Sequence, residues 1–154
     1  MDNTAGFLTA LDGTGNSAIN VLTGNSNDNI LSGLGGNDTI IAGLGDDILI
    51  GGTGKDTMTD GGGADVYDFN ATSESAVGAN RDICTDFTHN VDEINLATID
   101  ADVTTAENQT FTFIGNVAFT GTAGEVRYFT RVATSSSKWN WIMMVIPPLT
   151  WKFN

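Results

Sequence analysis

Apolar and polar positions recur along residues 15–68 with a period of nine. The stretch divides without a gap into GNSAINVLT, GNSNDNILS, GLGGNDTII, AGLGDDILI, GGTGKDTMT and DGGGADVYD. The eighth position of each nonapeptide is apolar or aromatic: Leu22, Leu31, Ile40, Leu49, Met58 and Tyr67. The sixth carries a side-chain oxygen: Asn20, Asn29, Asp38, Asp47, Asp56 and Asp65. Six residues rich in Gly, Asn and Asp turn through positive φ at little steric cost. The three that follow, such as Thr39-Ile40-Ile41 or Ile48-Leu49-Ile50, suit a very short strand. Turn, strand, turn, strand then makes one coil of two nonapeptides, with the eighth-position side chains stacked inside. Strands this short hold only when coils stack on one another. The period therefore predicts an all-β chain with a parallel β-roll at 15–68.

Turns of alternate repeats lie on opposite sides of such a roll, so repeat i faces repeat i+2. That places Asp38 beside Asp56 and Asp47 beside Asp65. Carboxylates stacked at coil spacing repel one another unless a cation sits between them. A hard divalent ion with several oxygen ligands, backbone carbonyls among them, describes calcium better than zinc or magnesium. Asn20 and Asn29 lack the charge, so the first two repeats form a neutral start that binds calcium weakly or not at all.

The nonapeptide resembles the RTX repeat, G-G-x-G-x-D-x-U-x. The resemblance implies that alternate turn carbonyls complete each calcium site, which adds Gly33, Gly35, Asn37, Gly43, Asp46, Gly51, Gly52 and Gly61 to the four aspartates. After the repeats the texture changes to longer alternating segments with aromatic and β-branched residues, which predicts an antiparallel sheet or sandwich. ADVYDF, RDICTDF at 81–87, VDEINLATIDA at 91–101 and FTFIGNVAFTGTAGEVRYF at 111–129 resemble the C-terminal domain of serralysin-type secreted metalloproteases, peptidase family M10. With the repeats, the resemblance spans roughly residues 15–129. It implies a lead-in at 1–14, the roll at 15–68, an incomplete antiparallel β-sandwich cap at 69–130 and an atypical tail at 131–154.

Charge and the single-residue candidates narrow the chemistry. The 154 residues hold 19 acidic against 6 basic side chains, for a net charge of −13. Such a surface repels nucleic acid and anionic membrane, and no apolar run approaches the ~20 residues of a membrane span. The N-terminus lacks the basic-then-apolar order of a cleavable signal peptide. No zinc protease can be built here, because H-E-x-x-H is absent and His89, in the polar turn THNVD, is the only histidine. Cys84, the only cysteine, reads as a buried inert thiol. Asp56 to Gly61 imitates the start of an EF-hand loop, but Met58 stands at a ligand position and Tyr67 where the bidentate Glu belongs. Gly54-Lys55 is followed by Asp56 instead of Ser or Thr, so a phosphate loop fails as well. Asp82 and Asp86 in RDICTDF leave two readings open, an extra calcium site or pairing with Arg81. Asp68, Asp92, Asp100 and Asp102 read as solvated turn acids.

Near residue 130 the composition breaks. All 19 Gly precede Glu125, and no acidic residue follows it. Beyond it stand Arg127, Arg131, Lys138, Lys152, all three Trp and both Pro. Trp and Met have single codons, so the underlying text can be read one base early. Trp139 through Trp141 then gives Glu-Leu, and Trp141 through Ile146 permits Asp-x-Asp-Gly-Asp, which looks like what the family carries after its RYF segment. The expectation is a shifted reading frame from about residue 131. Sequencing the locus checks it: a confirmed frame through Asn154 with no acidic frame beneath it overturns the idea.

The function so implied is a non-enzymatic, secreted, monomeric module that binds several calcium ions and folds on meeting them outside the cell. By resemblance its partner is the type I secretion apparatus. Two alternatives stand beside it, a surface-binding or adhesive spacer and a fragment of a secreted enzyme encoded upstream. The adhesive reading needs an exposed aromatic patch, for which Phe111, Phe113 and Phe119 are the candidates.

Overall fold

The apolar triplets of the repeats become strands of three to six residues: β1 (Gly13–Asn16), β2 (Val21–Thr23), β3 (Ile30–Leu34), β4 (Thr39–Leu44), β5 (Ile48–Ile50), β6 (Thr57–Gly62) and β7 (Val66–Asp68). They belong to a computed structural model that describes residues 12–75, 80–99, 112–113, 125–132 and 139–145. Successive strands fall alternately into two sheets, and within each sheet the pairing is parallel. Leu31 pairs with Leu49 and Leu49 with Tyr67, while Leu22 pairs with Ile40 and Ile40 with Met58. The eighth-position column is therefore in register from coil to coil.

That column is the core. Leu31, Ile40, Leu49, Met58 and Tyr67 are buried, with Leu22 partly buried against them at the open end. Positions seven and nine point out of the roll, so Val21, Ile30 and Ile41 remain exposed. The turns need left-handed backbone at the second and fourth positions. Gly43 has φ +125°, and a Cβ there would lie 2.0 Å from the Asn25 carbonyl oxygen of the neighbouring coil. Leu34 takes the same second position with φ +73°, a conformation a side chain adopts at a cost.

The roll does not end at residue 68. β8 (Ile83–Cys84) continues one parallel ladder, with Met58 opposite Cys84, and β9 (Glu93–Asn95) continues the other, with Tyr67 opposite Ile94. Both segments keep the pattern of an acid followed two residues later by an apolar side chain: Asp82 before Cys84, Asp92 before Ile94. Loops inserted ahead of them stretch the coil from 18 residues to 26 and 27. The early part of the sandwich expected over 69–130 thus forms parallel roll instead. Phe69, Cys84 and Ile99 extend the core, with Phe87, Ile94 and Leu96 packed against it.

Antiparallel pairing among the described residues is confined to one edge. β10 (Thr112–Phe113) lies parallel to β11 (Glu125–Val132), and β11 pairs antiparallel with β12 (Trp139–Val145). β12 joins the roll through Trp141 opposite Cys84. Residues 139–145, inside the tail read above as a shifted frame, therefore occupy a strand of the seven-stranded sheet. Asp100, Asp102, Phe111 and Phe119 lie outside the described residues.

Candidate metal centre

The glycine-rich turns stack in two rows, one at each edge of the two sheets, and the sixth-position side chains form a column in each row. In the first, Asn20 N–H donates to Asp38 Oδ1 at 2.7 Å, Asp38 N–H to Asp56 Oδ1 at 2.7 Å, and Asp56 N–H to Asp82 Oδ1 at 2.8 Å. In the second, Asn29 N–H donates to Asp47 Oδ1 at 2.7 Å, Asp47 N–H to Asp65 Oδ1 at 2.7 Å, and Asp65 N–H to Asp92 Oδ1 at 3.2 Å. One oxygen of each carboxylate therefore staples its coil to the coil before it.

The other oxygen is left over. Asp38, Asp47, Asp56 and Asp82 are all 2 % exposed or less, yet their Oδ2 atoms accept no hydrogen bond. Two of them lodge against the first residue of their own turn: a Cβ added to Gly33 would sit 2.3 Å from Asp38 Oδ2, and one on Gly51 2.6 Å from Asp56 Oδ2. A buried, half-satisfied carboxylate is costly unless a cation or a proton neutralises it. The burial pushes the Asp47 and Asp56 carboxyls up to about 6 and Asp82 up to about 8, each also raised by neighbouring acids. Asp65 is raised for the same reason. These orphaned oxygens fit a hard cation.

The remaining candidates divide by position. Gly43, Gly52 and Gly61 hold the left-handed second position, and Gly33 and Gly51 the crowded first. Gly35 forms a parallel bridge with Thr53. Asn37 and Asp46 are exposed, and their Oδ1 atoms accept the Lys55 and Ala64 amides of the next coil at 3.0 and 2.8 Å. Those two side chains serve the stacking of coils, not the sixth-position gap. The neutral start behaves differently from the aspartates: Asn20 and Asn29 accept amides within their own turns, from Asn16 and Asn25 at 2.7 and 2.9 Å.

Two members of the columns escaped the sequence reading. Asp82, left between two roles, occupies the fourth place of the first column. Asp92, read as a solvated turn acid, takes the fourth place of the second and also accepts the Thr88 amide. Their signal was the Asp-x-apolar triplet, hidden by the loss of nine-residue spacing. Asp68 instead accepts side-chain amides of Asn70 and Asn95 at 3.0 and 2.9 Å. His89 is exposed, and Cys84 is buried with its thiol pKa pushed well up by that burial.

Residues 9–142 match the family described as peptidase M10 serralysin C terminal. No curated protein sequence matches the chain. Among solved structures, it is similar to a subunit of the mannuronan C5-epimerase of Azotobacter vinelandii, determined in solution. The two are 23 % identical with a TM-score of 0.55, over 88 % of this chain and 75 % of the other. At that identity the likeness is one of fold.

Proposed function

Because the chain belongs to the peptidase M10 serralysin C-terminal family, we propose that it is a calcium-binding module that folds as the ions enter its turns and that works outside the cell. The observation that carries this reading is the set of buried, unpartnered Oδ2 atoms on Asp38, Asp47, Asp56 and Asp82. In each row these aspartates, with Asp65 in the second, would hold the ions, and the turn carbonyls at Gly33, Gly35, Asn37, Gly43, Asp46, Gly51, Gly52 and Gly61 would complete the sites. Bound calcium supplies positive charge between stacked carboxylates. The chain supplies the geometry, since every Oδ1 is already held by a backbone amide and only Oδ2 is free to face an ion.

Folding and binding are then one event. Without the ion, each added coil buries another uncompensated acid, and the short strands cannot offset that cost. With it, each filled site adds RT ln(1 + [L]/Kd), ~2.7 kcal/mol at a hundred times Kd. A cytoplasm poor in calcium keeps the roll loose enough for passage through a type I secretion channel, and the medium outside closes it. Among the described residues no helix is long and apolar enough to cross a membrane. The module itself is non-catalytic in this reading, with His89 an ordinary surface residue.

The test is circular dichroism of the purified chain with added calcium and with chelator. A gain of β-signal is expected at around 10⁻⁴–10⁻³ M calcium, the range of extracellular modules, reversed by chelator. The same β content in both conditions would falsify the proposal.

A further inference from the structure

The second row of turns ends differently from the rest. Its first positions read Gly24, Ala42 and Asp60 along the coils. The next coil places Asp86 there, in register through the Thr59–Thr85 hydroxyl contact at 2.8 Å. This is the position whose Cα faces the sixth-position carboxylate, where a Cβ at Gly33 would lie 2.3 Å from Asp38 Oδ2. Repeats that keep glycine there avoid crowding the acid. At residue 60 the chain does the reverse and adds a second carboxylate.

The result is a cluster with no counterpart among the other described turns. One carboxylate oxygen each from Asp60, Asp65 and Asp92 lie within 4.8 Å of one another. Asp60 is 1 % exposed; its Oδ1 accepts the Gly61 amide at 2.6 Å, and its Oδ2 is buried with no hydrogen bond. The buried Tyr67 hydroxyl lies beside Asp60. Asp86 stands behind, its two oxygens accepting the Asp60 and Gly61 amides at 3.0 and 3.1 Å.

We propose that the gap between turns 60–65 and 86–92 is a calcium site of a different kind from the repeat sites, with Asp60 joining Asp65 and Asp92 as a direct ligand and Asp86 fixing the Asp60 backbone. The inference rests on the calcium reading of the repeats and adds a ligand the repeat motif does not contain. Three ligand carboxylates surround this gap, against two between Asp47 and Asp65. Affinity in oxygen-ligand sites rises with ligand charge, so this gap fills at about tenfold lower calcium than the repeat gaps. The competing occupant is a proton, because burial and the nearby Asp86 push the Asp60 carboxyl up to about 8.

Isothermal titration of the full chain with calcium at neutral pH, together with a count of bound ions by equilibrium dialysis, separates the two. The parent should show a tight phase ahead of the repeat sites. Asp60→Asn, which keeps the shape, and Asp60→Gly, which restores the repeat residue, should both lose that tight phase, the gap then filling together with the repeat sites, while keeping the later calcium-dependent gain of β-signal. If the parent binds calcium and both variants keep its tight phase, Asp60 is not a ligand and this site is refuted alone. A parent that binds no calcium refutes the repeat reading and this site with it.

Discussion

Replacing Asp38 and Asp47 together by Ala is expected to abolish the calcium-induced gain of β-structure up to ~10⁻³ M calcium, the upper range of extracellular modules. Asn20→Ala should leave the response as it is. Asp38 stands between Asn20 and Asp56, and Asp47 between Asn29 and Asp65, so one change falls in each row of turns. Each Ala removes a buried carboxylate oxygen that has no hydrogen-bond partner and the acceptor of a 2.7 Å amide bond to the previous coil. The matched pair Asp38→Asn with Asp47→Asn keeps the acceptor and removes only the charge. That variant should also lose the calcium response, but its metal-free form should be more ordered than the metal-free parent, because the repulsion is gone. A double Ala variant that titrates like the parent would show that these columns do not hold the ions.

Acid should do part of the work of calcium. Asp47 and Asp56 rise from 3.8 to about 6, and Asp60 and Asp82 to about 8, chiefly through burial. The groups facing them are also acids: Asp28, Asp46 and Asp65 around Asp47; Asp38 and Glu74 around Asp56; Glu74 with Asp56 around Asp82; Asp86 and Asp92 around Asp60. A carboxyl whose folded pKa lies above its unfolded value binds more protons folded than unfolded. Its stabilisation is complete below about pH 4 and is lost as pH rises through 6 to 8. The metal-free chain should therefore hold more β-structure near pH 4–5 than near pH 8, the reverse of ordinary acid denaturation. In saturating calcium the dependence inverts, since the ions need ionised ligands and are released on acidification. Circular dichroism in chelator across that range is the measurement. Metal-free chain that is more ordered at pH 8 than at pH 5 would contradict the burial of these acids.

The repeat made much of the roll legible before any coordinates. Each coil touches only its neighbours, so the direction of a side chain follows from its place in the nonapeptide, and Leu31, Ile40, Leu49, Met58 and Tyr67 could be assigned to the interior and Asp38, Asp47, Asp56 and Asp65 to the turns. The same locality explains the errors. Once loops lengthen the coil to 26 and 27 residues, the period vanishes from the text, and Asp82 and Asp92 look like stray acids beside alternating strands. Period-two alternation is shared by antiparallel sheets and by the flanks of a roll, so RDICTDF and VDEIN pointed to a sandwich.

What a sequence of this kind determines by itself is everything that repeats: the coil, its apolar column, and the acidic column that calls for a cation. Tertiary structure alone decided where repetition stops and what happens there. Only the backbone pairing of Met58 with Cys84 and Tyr67 with Ile94 shows that the roll outlasts its motif. Only the crowding at the first position reveals Asp60 as an acid set against Asp65, with Asp92 arriving from a turn 27 residues on. Spacing in the chain encodes a neighbour while the loops between neighbours keep one length; when their lengths change, hydrogen bonding between coils is what sets the register.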